Sequence, residues 1–420
     1  MAPSVDLFCR VVDNYGDIGV CWRLARRLAH GLNWRVRLWV DDLGSFARIA
    51  PGLDATAPSQ MFDGIDVRLW PDTDGAGACA HLGPLSGQHS TGAQSTRVQT
   101  VTPIVAHDIV IEAFACELPD AFISAMRDAA PPPLWINLEY LSAERWVEDC
   151  HGLASLRPDG LKKTFFFPGF TPATGGLLRE PHVLLARTAT QHDHQSKMDA
   201  LRALGLTALA DALHNPRTQL VNLFCYPHAP LREALDALSE AHTSTDTRSV
   251  VVCAAKGVAP SLEAVADDYP NVTVVRIPFL AQSDFDRLLW CADLNIVRGE
   301  DSFVRAIWAG RPMLWHIYPQ DDDAHLVKLD AWLDHYDVPP SAKRAIRAFN
   351  SQTAAATHPL HATETAQLDC CLRSALSESL MPPVWQAWQT HARQWTDTLA
   401  QQPDLAENLA AFWTNTTKKS

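Results

Sequence analysis

Two short stretches of this chain hold side chains that could do chemistry. The first is "VVDNYGDIGVCWRLARRLA", residues 11–29. Apolar, β-branched residues lead into Asp13, Asn14, Tyr15, Gly16, Asp17 and Gly19, and a helical pattern follows, read from Val20 to Gly31. This is a strand-to-helix turn. Gly16 and Gly19 allow the main chain to approach a ligand closely. The spacing is not G-x-G-x-x-G, so the dinucleotide fingerprint is absent. Two aspartates repel phosphate, but at a strand end they suit accepting a proton or holding a cationic group. A plainer reading stays open, with Asp17 as an N-cap and Asp13 in an Asx-turn.

The second stretch is "NIVRGEDSFVRAIWAGRPMLWHIYPQDDDAH", residues 295–325, with Arg298, Gly299, Glu300, Asp301 and Ser302 in the turn. The amides after Gly299 and the Ser302 hydroxyl could bind a diphosphate at a helix N-terminus, with Arg298 as charge partner. Glu300 is badly placed for phosphate and well placed to accept two ribose hydroxyls. An ordinary capped helix start is the alternative. Phe279 and Gln282 in "IPFLAQSDFDRLL", and Phe224 and Tyr226 at the end of "NLFCY", fall at further strand ends. There a ring could stack on a base and Gln282 could bond a base or phosphate; core packing competes with each assignment. "QDDDAH" (320–325) contains a D-x-D, but acidic residues also suit a helix start. Asp321 to Asp323 could instead touch sugar hydroxyls, and no metal is expected. "QHDHQ" (191–195) reads as a polar linker.

Short apolar runs must position these turns. "DLFCRVV" (6–12), "RVRLWV" (35–40), "DVRLW" (66–70), "DIVIEAF" (108–114) and "LWINLEYL" (134–141) read as strands. The pattern restarts with "QLVNLFCY" (219–226), "SVVVCAA" (249–255), "VTVVRIPFL" (272–280), "DLNIVRG" (293–299) and "RPMLWHIY" (311–318). Strands apolar on both faces, alternating with helices, indicate parallel sheets covered on both sides. Two successive Rossmann-like α/β units follow, expected at 1–185 and 186–383. The tail 384–420 reads as helical, with Trp385, Trp388 and Trp395 as packing residues, and is expected to return to the first unit. Residues 73–103 are rich in Gly, Ala, Ser and Thr and read as a surface loop. Ligands in such sheets sit at the carboxyl ends of strands. Glycosyltransferases, some epimerases and binding proteins share a two-unit plan of this kind.

The chain has 420 residues, which favours two domains. Its formal charge of −13 disfavours a nucleic-acid coat or an anionic-membrane binder. The ten cysteines form no C-x-x-C and lie mostly in apolar runs, as expected of buried thiols in a reducing compartment. No apolar run approaches the roughly 18 to 20 residues of a membrane span. The N-terminus has no signal-peptide pattern. A soluble cytoplasmic protein is expected.

"DLFCRVVDNYGDIGVCWRLARRLA", "FFFPGFTPATGGLLRE" and "RGEDSFVRAIWAGRPMLWHIYPQDDDAHLVKLDAWL" together closely resemble the bacterial protein-arginine rhamnosyltransferases that modify translation elongation factor P. The resemblance runs over roughly residues 5–385, and the 73–103 insertion departs from it. It implies a GT-B fold, two Rossmann-like domains facing each other across a cleft. It implies inverting, metal-independent transfer from the donor substrate dTDP-β-L-rhamnose to an arginine of that factor, with no cofactor. By matching position, Asp17 is the general base, Asp13 a second essential aspartate and Glu300 an essential glutamate. Asp301 and Ser302 hold the donor diphosphate, and Tyr15 and Gly16 also fall in the donor-binding set. Phe279 and Gln282 lie around the thymine and nucleotide, and Phe224 and Tyr226 form a nearby aromatic pair.

Overall fold

A computed structural model of the protein describes residues 2–12, 15–70, 105–241, 249–320, 323–351 and 372–418. Asp13, Asp321, Asp322 and the 73–103 segment lie outside these residues. The chain divides into two compact units. One comprises Met1–Leu141, Val147–Leu178 and Asp404–Ser420; the other comprises Ser142–Trp146 and Arg179–Pro403. No described helix is long and apolar enough to cross a membrane.

The first unit contains β1 (Ser4–Cys9), β2 (Arg35–Val40), β3 (Ser59–Phe62), β4 (Ile65–Leu69), β5 (Ile109–Ala113), β6 (Leu134–Leu138), β7 (Ala154–Leu156) and β8 (Lys162–Phe166). Their order in the sheet is β3-β4-β2-β1-β5-β6-β8-β7. The run from β4 to β8 is parallel, and β3 and β7 add antiparallel edges. β1 and β5 are buried at every position, as strands covered on both faces must be. From β1 the chain winds out through β2 and later returns on the other side through β5. The loops after β1 and β5 therefore diverge and leave a crevice at their carboxyl ends. The first helix starts earlier than its apolar periodicity indicates. It spans Gly16–Arg26 and continues as a π-helical turn, Arg27–Gly31.

The second unit contains β9 (Gln219–Leu223), β10 (Val250–Ala255), β11 (Val272–Ile277), β12 (Leu294–Arg298) and β13 (Met313–His316). All pair in parallel, in the order β11-β10-β9-β12-β13. Here the winding reverses between β9 and β12, so their loops border this unit's own crevice at the strands' carboxyl ends. The observed strands end one to three residues before several of the apolar runs do, which frees Phe224, Tyr226, Phe279 and Gly299 for the loops.

Two expectations need correction. The tail does not return to the first unit as one piece. The helix Pro382–Leu399 belongs to the second unit. There Trp388 is fully buried and its Nε1 donates to the Tyr336 hydroxyl at 3.3 Å. Trp395 lies 4.8 Å from the Tyr336 ring, and the Thr396 hydroxyl donates to the Ile307 carbonyl at 2.6 Å. Only the helix Leu405–Thr417 completes the first core, through Leu405, Ala406 and Leu409. It is held by a reciprocal Asp404–Glu407 capping box and by Arg27, 2.7 Å from the buried Asp404 carboxylate. The "QHDHQ" stretch is not a linker. Asp193 accepts the Ser196 amide at 2.7 Å and caps the helix His194–Ala203, whose Met198 and Leu201 enter the core.

Candidate active site

In the first unit, Tyr15 is the N-cap of the helix Gly16–Arg26 and makes no side-chain cap bond. Asp17 sits one residue into the helix, so it does not cap it. Its side chain is buried and accepts the Val12 amide at 2.8 Å and the Tyr140 hydroxyl at 3.3 Å. The partial positive charge of the helix N-terminus favours the ionised carboxylate there. Asp17 thus follows β1 at the β1/β5 crevice as a carboxyl group held in place, of a type that can take a proton or hold a cation. Tyr15 packs its ring against the first core, and its hydroxyl accepts from Arg48 at 2.8 Å. Gly16 opens the helix, and the Gly19 amide donates to the Tyr15 carbonyl at 2.9 Å. Burial pushes the nearby Cys9 thiol well above its ordinary value, so it is a poor nucleophile.

In the second unit, Gly299 is the N-cap of the helix Glu300–Ala309, with φ 65° and ψ −172°. Only glycine adopts that region readily. Trp315 Nε1 donates to the Gly299 carbonyl at 3.0 Å and holds the turn. Glu300 and Asp301 occupy the first helical turn, and Ser302 follows half-buried. Gln282 opens the helix Gln282–Cys291; its Nε2 donates to Asp301 at 3.2 Å, tying two helix starts together. The Arg298 guanidinium lies over Phe224 and Tyr226, at 4.7 and 4.8 Å, and donates to the Cys225 carbonyl at 3.2 Å. The structure therefore joins Arg298, Phe224 and Tyr226, and separately Gln282 and Asp301. Tyr226 is buried and Phe224 half-buried against Phe285. Phe279, at 40% exposure, is the most exposed of the three aromatics and the best suited to stack on a base.

Sequence reasoning missed three contributors. Tyr140 reaches Asp17 from 123 positions away. His316 Nδ1 accepts the Tyr226 amide at 3.2 Å, and Nε2 therefore carries the imidazole proton. Burial, with His228, Arg298 and His325 adding to it, pushes His316 down to about 3, so it is neutral at pH 7. Arg305, fully buried, donates to both Asp286 oxygens at 3.1 and 2.8 Å and pairs with Glu180 at 2.7 Å. A lone basic residue in a predicted buried helix was the one available signal for Arg305. No spacing links Tyr140 to Asp17.

The family model described as Elongation-Factor P (EF-P) rhamnosyltransferase EarP matches residues 5–84 and 86–414. A protein-arginine rhamnosyltransferase of Pseudomonas putida is 44% identical, over 99% of this chain and 100% of the relative. A solved structure described as the structural basis for EarP-mediated arginine glycosylation of translation elongation factor EF-P is 30% identical. It covers 98% of this chain and 99% of its own, with a TM-score of 0.56. A structure of Phytolacca americana UGT2 complexed with UDP-2fluoro-glucose and pterostilbene shares the fold at 10% identity and a TM-score of 0.51, covering 98% of this chain and 100% of its own. The fold is thus GT-B. Because the match passes through both strand-end turns and nearly the whole chain, this protein belongs to the EF-P rhamnosyltransferase EarP family.

Proposed function

We propose that this protein moves L-rhamnose from dTDP-β-L-rhamnose to an arginine side chain of translation elongation factor P, with inversion and without a metal. The observation that carries the reading is the family match over residues 5–84 and 86–414. The chemistry of the two turns supports it. A guanidinium stays protonated at neutral pH, with a pKa above about 12. Asp17 orients it by charge-assisted hydrogen bonds and accepts a proton as the C–N bond forms. Asp13, four positions earlier in the sequence, is the second carboxylate this reading assigns to the acceptor. The sugar gains positive charge while the diphosphate leaves. Amides at the Gly299 helix start, the Ser302 hydroxyl and Arg298 stabilise that leaving group. Glu300 accepts hydroxyls of the donor, and Phe279 and Gln282 hold the nucleotide. In this reading the protein acts in the cytoplasm.

Purified protein incubated with dTDP-rhamnose and elongation factor P should add one deoxyhexose to the factor, read by intact mass. EDTA should leave the rate unchanged, and NMR of the product should show an anomeric configuration opposite to that of the donor. An unmodified factor would refute the activity. A retained configuration would refute inversion, and an EDTA-sensitive rate would refute metal independence.

A further inference from the structure

The loop after β5 is strained. Phe114, Ala115 and Glu117 have φ of 56°, 52° and 56°, and none is glycine. Such a conformation costs about 1–2 kcal/mol for each residue, so local preference does not select this loop. Two long-range bonds to β6 and one local bond hold it. The Phe114 amide donates to the Leu138 carbonyl at 2.7 Å, the Ala115 amide to Asn137 at 3.2 Å, and the Glu117 amide to Glu112 at 3.1 Å. The imposed shape lays the Phe114 ring against Tyr140, with centroids 4.3 Å apart and planes 15° from parallel. Tyr140 is 41% exposed, unusual for a large aromatic held this firmly, and its hydroxyl reaches Asp17. Strained backbone that presents an exposed ring beside a buried carboxylate is a pattern of functional sites.

An aromatic face with a carboxylate at its edge recognises a flat cation, through cation–π attraction and charge-assisted hydrogen bonds. We propose that Tyr140, backed by Phe114, is the platform on which the acceptor guanidinium lies, and that its hydroxyl holds Asp17 in the orientation that receives the proton. This rests on the reading of arginine as acceptor and deepens it. The platform also favours arginine over lysine, because a planar guanidinium stacks on a ring and a compact, strongly hydrated ammonium does so poorly.

The test separates the ring from the hydroxyl. Steady-state rates are measured against elongation factor P and dTDP-rhamnose, and dTDP binding by calorimetry. Tyr140→Ala should raise KM for the factor about tenfold, within the range of one cation–π contact, with dTDP affinity unchanged. Tyr140→Phe should keep that KM and lower kcat several-fold, a split that loss of packing alone would not produce. Tyr140→Leu, which keeps bulk against Phe114 without a π face, should behave like Ala and substitutes for it if Ala does not fold. An unchanged KM in Ala and Leu, or equal changes in KM and dTDP affinity, overturns the proposal. If the wild type transfers nothing, the acceptor assignment itself is wrong and this inference falls with it. If the wild type transfers and the variants match it, this inference alone is wrong.

Discussion

The Asp17 carboxylate takes one bond from the Val12 amide and one from the Tyr140 hydroxyl while lying in the first turn of its helix. These contacts keep it in place, so its removal should affect chemistry more than binding. Asp17→Asn can still accept the Val12 amide but cannot take a proton. Its kcat should fall by about 100-fold or more, with dTDP affinity retained, as calorimetry would show. His316 makes a different prediction. Its folded-state pKa lies far below the ordinary histidine value because burial disfavours the charged form. As pH falls below about 6.5 the unfolded chain binds a proton that the folded chain refuses, so stability is lost toward acid. The slope from this one group approaches about 1.4 kcal/mol per pH unit. His151 and His228 are pushed in the same direction by burial and add to the loss. In His316→Asn the amide oxygen can replace Nδ1 as acceptor for the Tyr226 amide. Urea midpoints between pH 7 and 5 should fall less steeply for that variant than for the wild type.

At the scale of elements, the helix Glu300–Ala309 is set by its ends and by one buried arginine. Gly299 at its start holds a conformation closed to other residues. Gly299→Ala should cost about 1–3 kcal/mol in chemical denaturation and weaken dTDP binding, because the strain is relieved by moving the amides proposed to hold the diphosphate. Arg305 ties this helix to the helix Gln282–Cys291 through Asp286. Arg305→Met would leave the Asp286 and Glu180 carboxylates without their cation, a loss of about 3–5 kcal/mol for a broken buried pair. Thermal unfolding should show that loss. Donor affinity should drop with it, since Gln282 and Asp301 begin the two helices that Arg305 joins. A melting temperature equal to that of the wild type would show that the cluster is not a structural tie. Both helices were legible from apolar periodicity; the pattern from Ser283 comes within one residue of the observed start at Gln282, whereas the start at Glu300 was missed. Glu300, Asp301 and Ser302 look like turn residues, and Phe303 is the first apolar position of the pattern.

At the scale of the whole molecule, the chain finishes its first unit last. The helix Leu405–Thr417 supplies Leu405, Ala406 and Leu409 to a core begun by β1. Arg27 is buried against Asp404 and would lose that partner if the helix were removed. Deleting residues 404–420 should therefore destabilise the first unit selectively. Calorimetry should show its transition moving to lower temperature, while dTDP still raises the transition of the second unit by mass action. Equal displacement of both transitions would contradict this division. Two α/β units were readable from the restart of apolar runs near residue 219. The division of the two C-terminal helices was not, because both are amphipathic and both carry tryptophan.

What the sequence by itself determined is local. Runs such as Leu7–Cys9 and Val250–Cys253 are apolar on both faces, and water leaves them no arrangement but a covered parallel sheet. Glycine and acidic residues packed after such runs mark the turns where chemistry can occur. Tertiary structure decided everything that depends on burial or distant partners. It pairs the edge strand β3 with β4 and the edge strand β7 with β8, and β7 is three exposed residues, too short to show a pattern. It buries Asp17 and gives it Tyr140 as a hydrogen-bond partner, refuses His316 its proton, and encloses Arg305 between two carboxylates. Hydrogen bonds, desolvation and charge pairing act through space, and separation along the chain does not encode them.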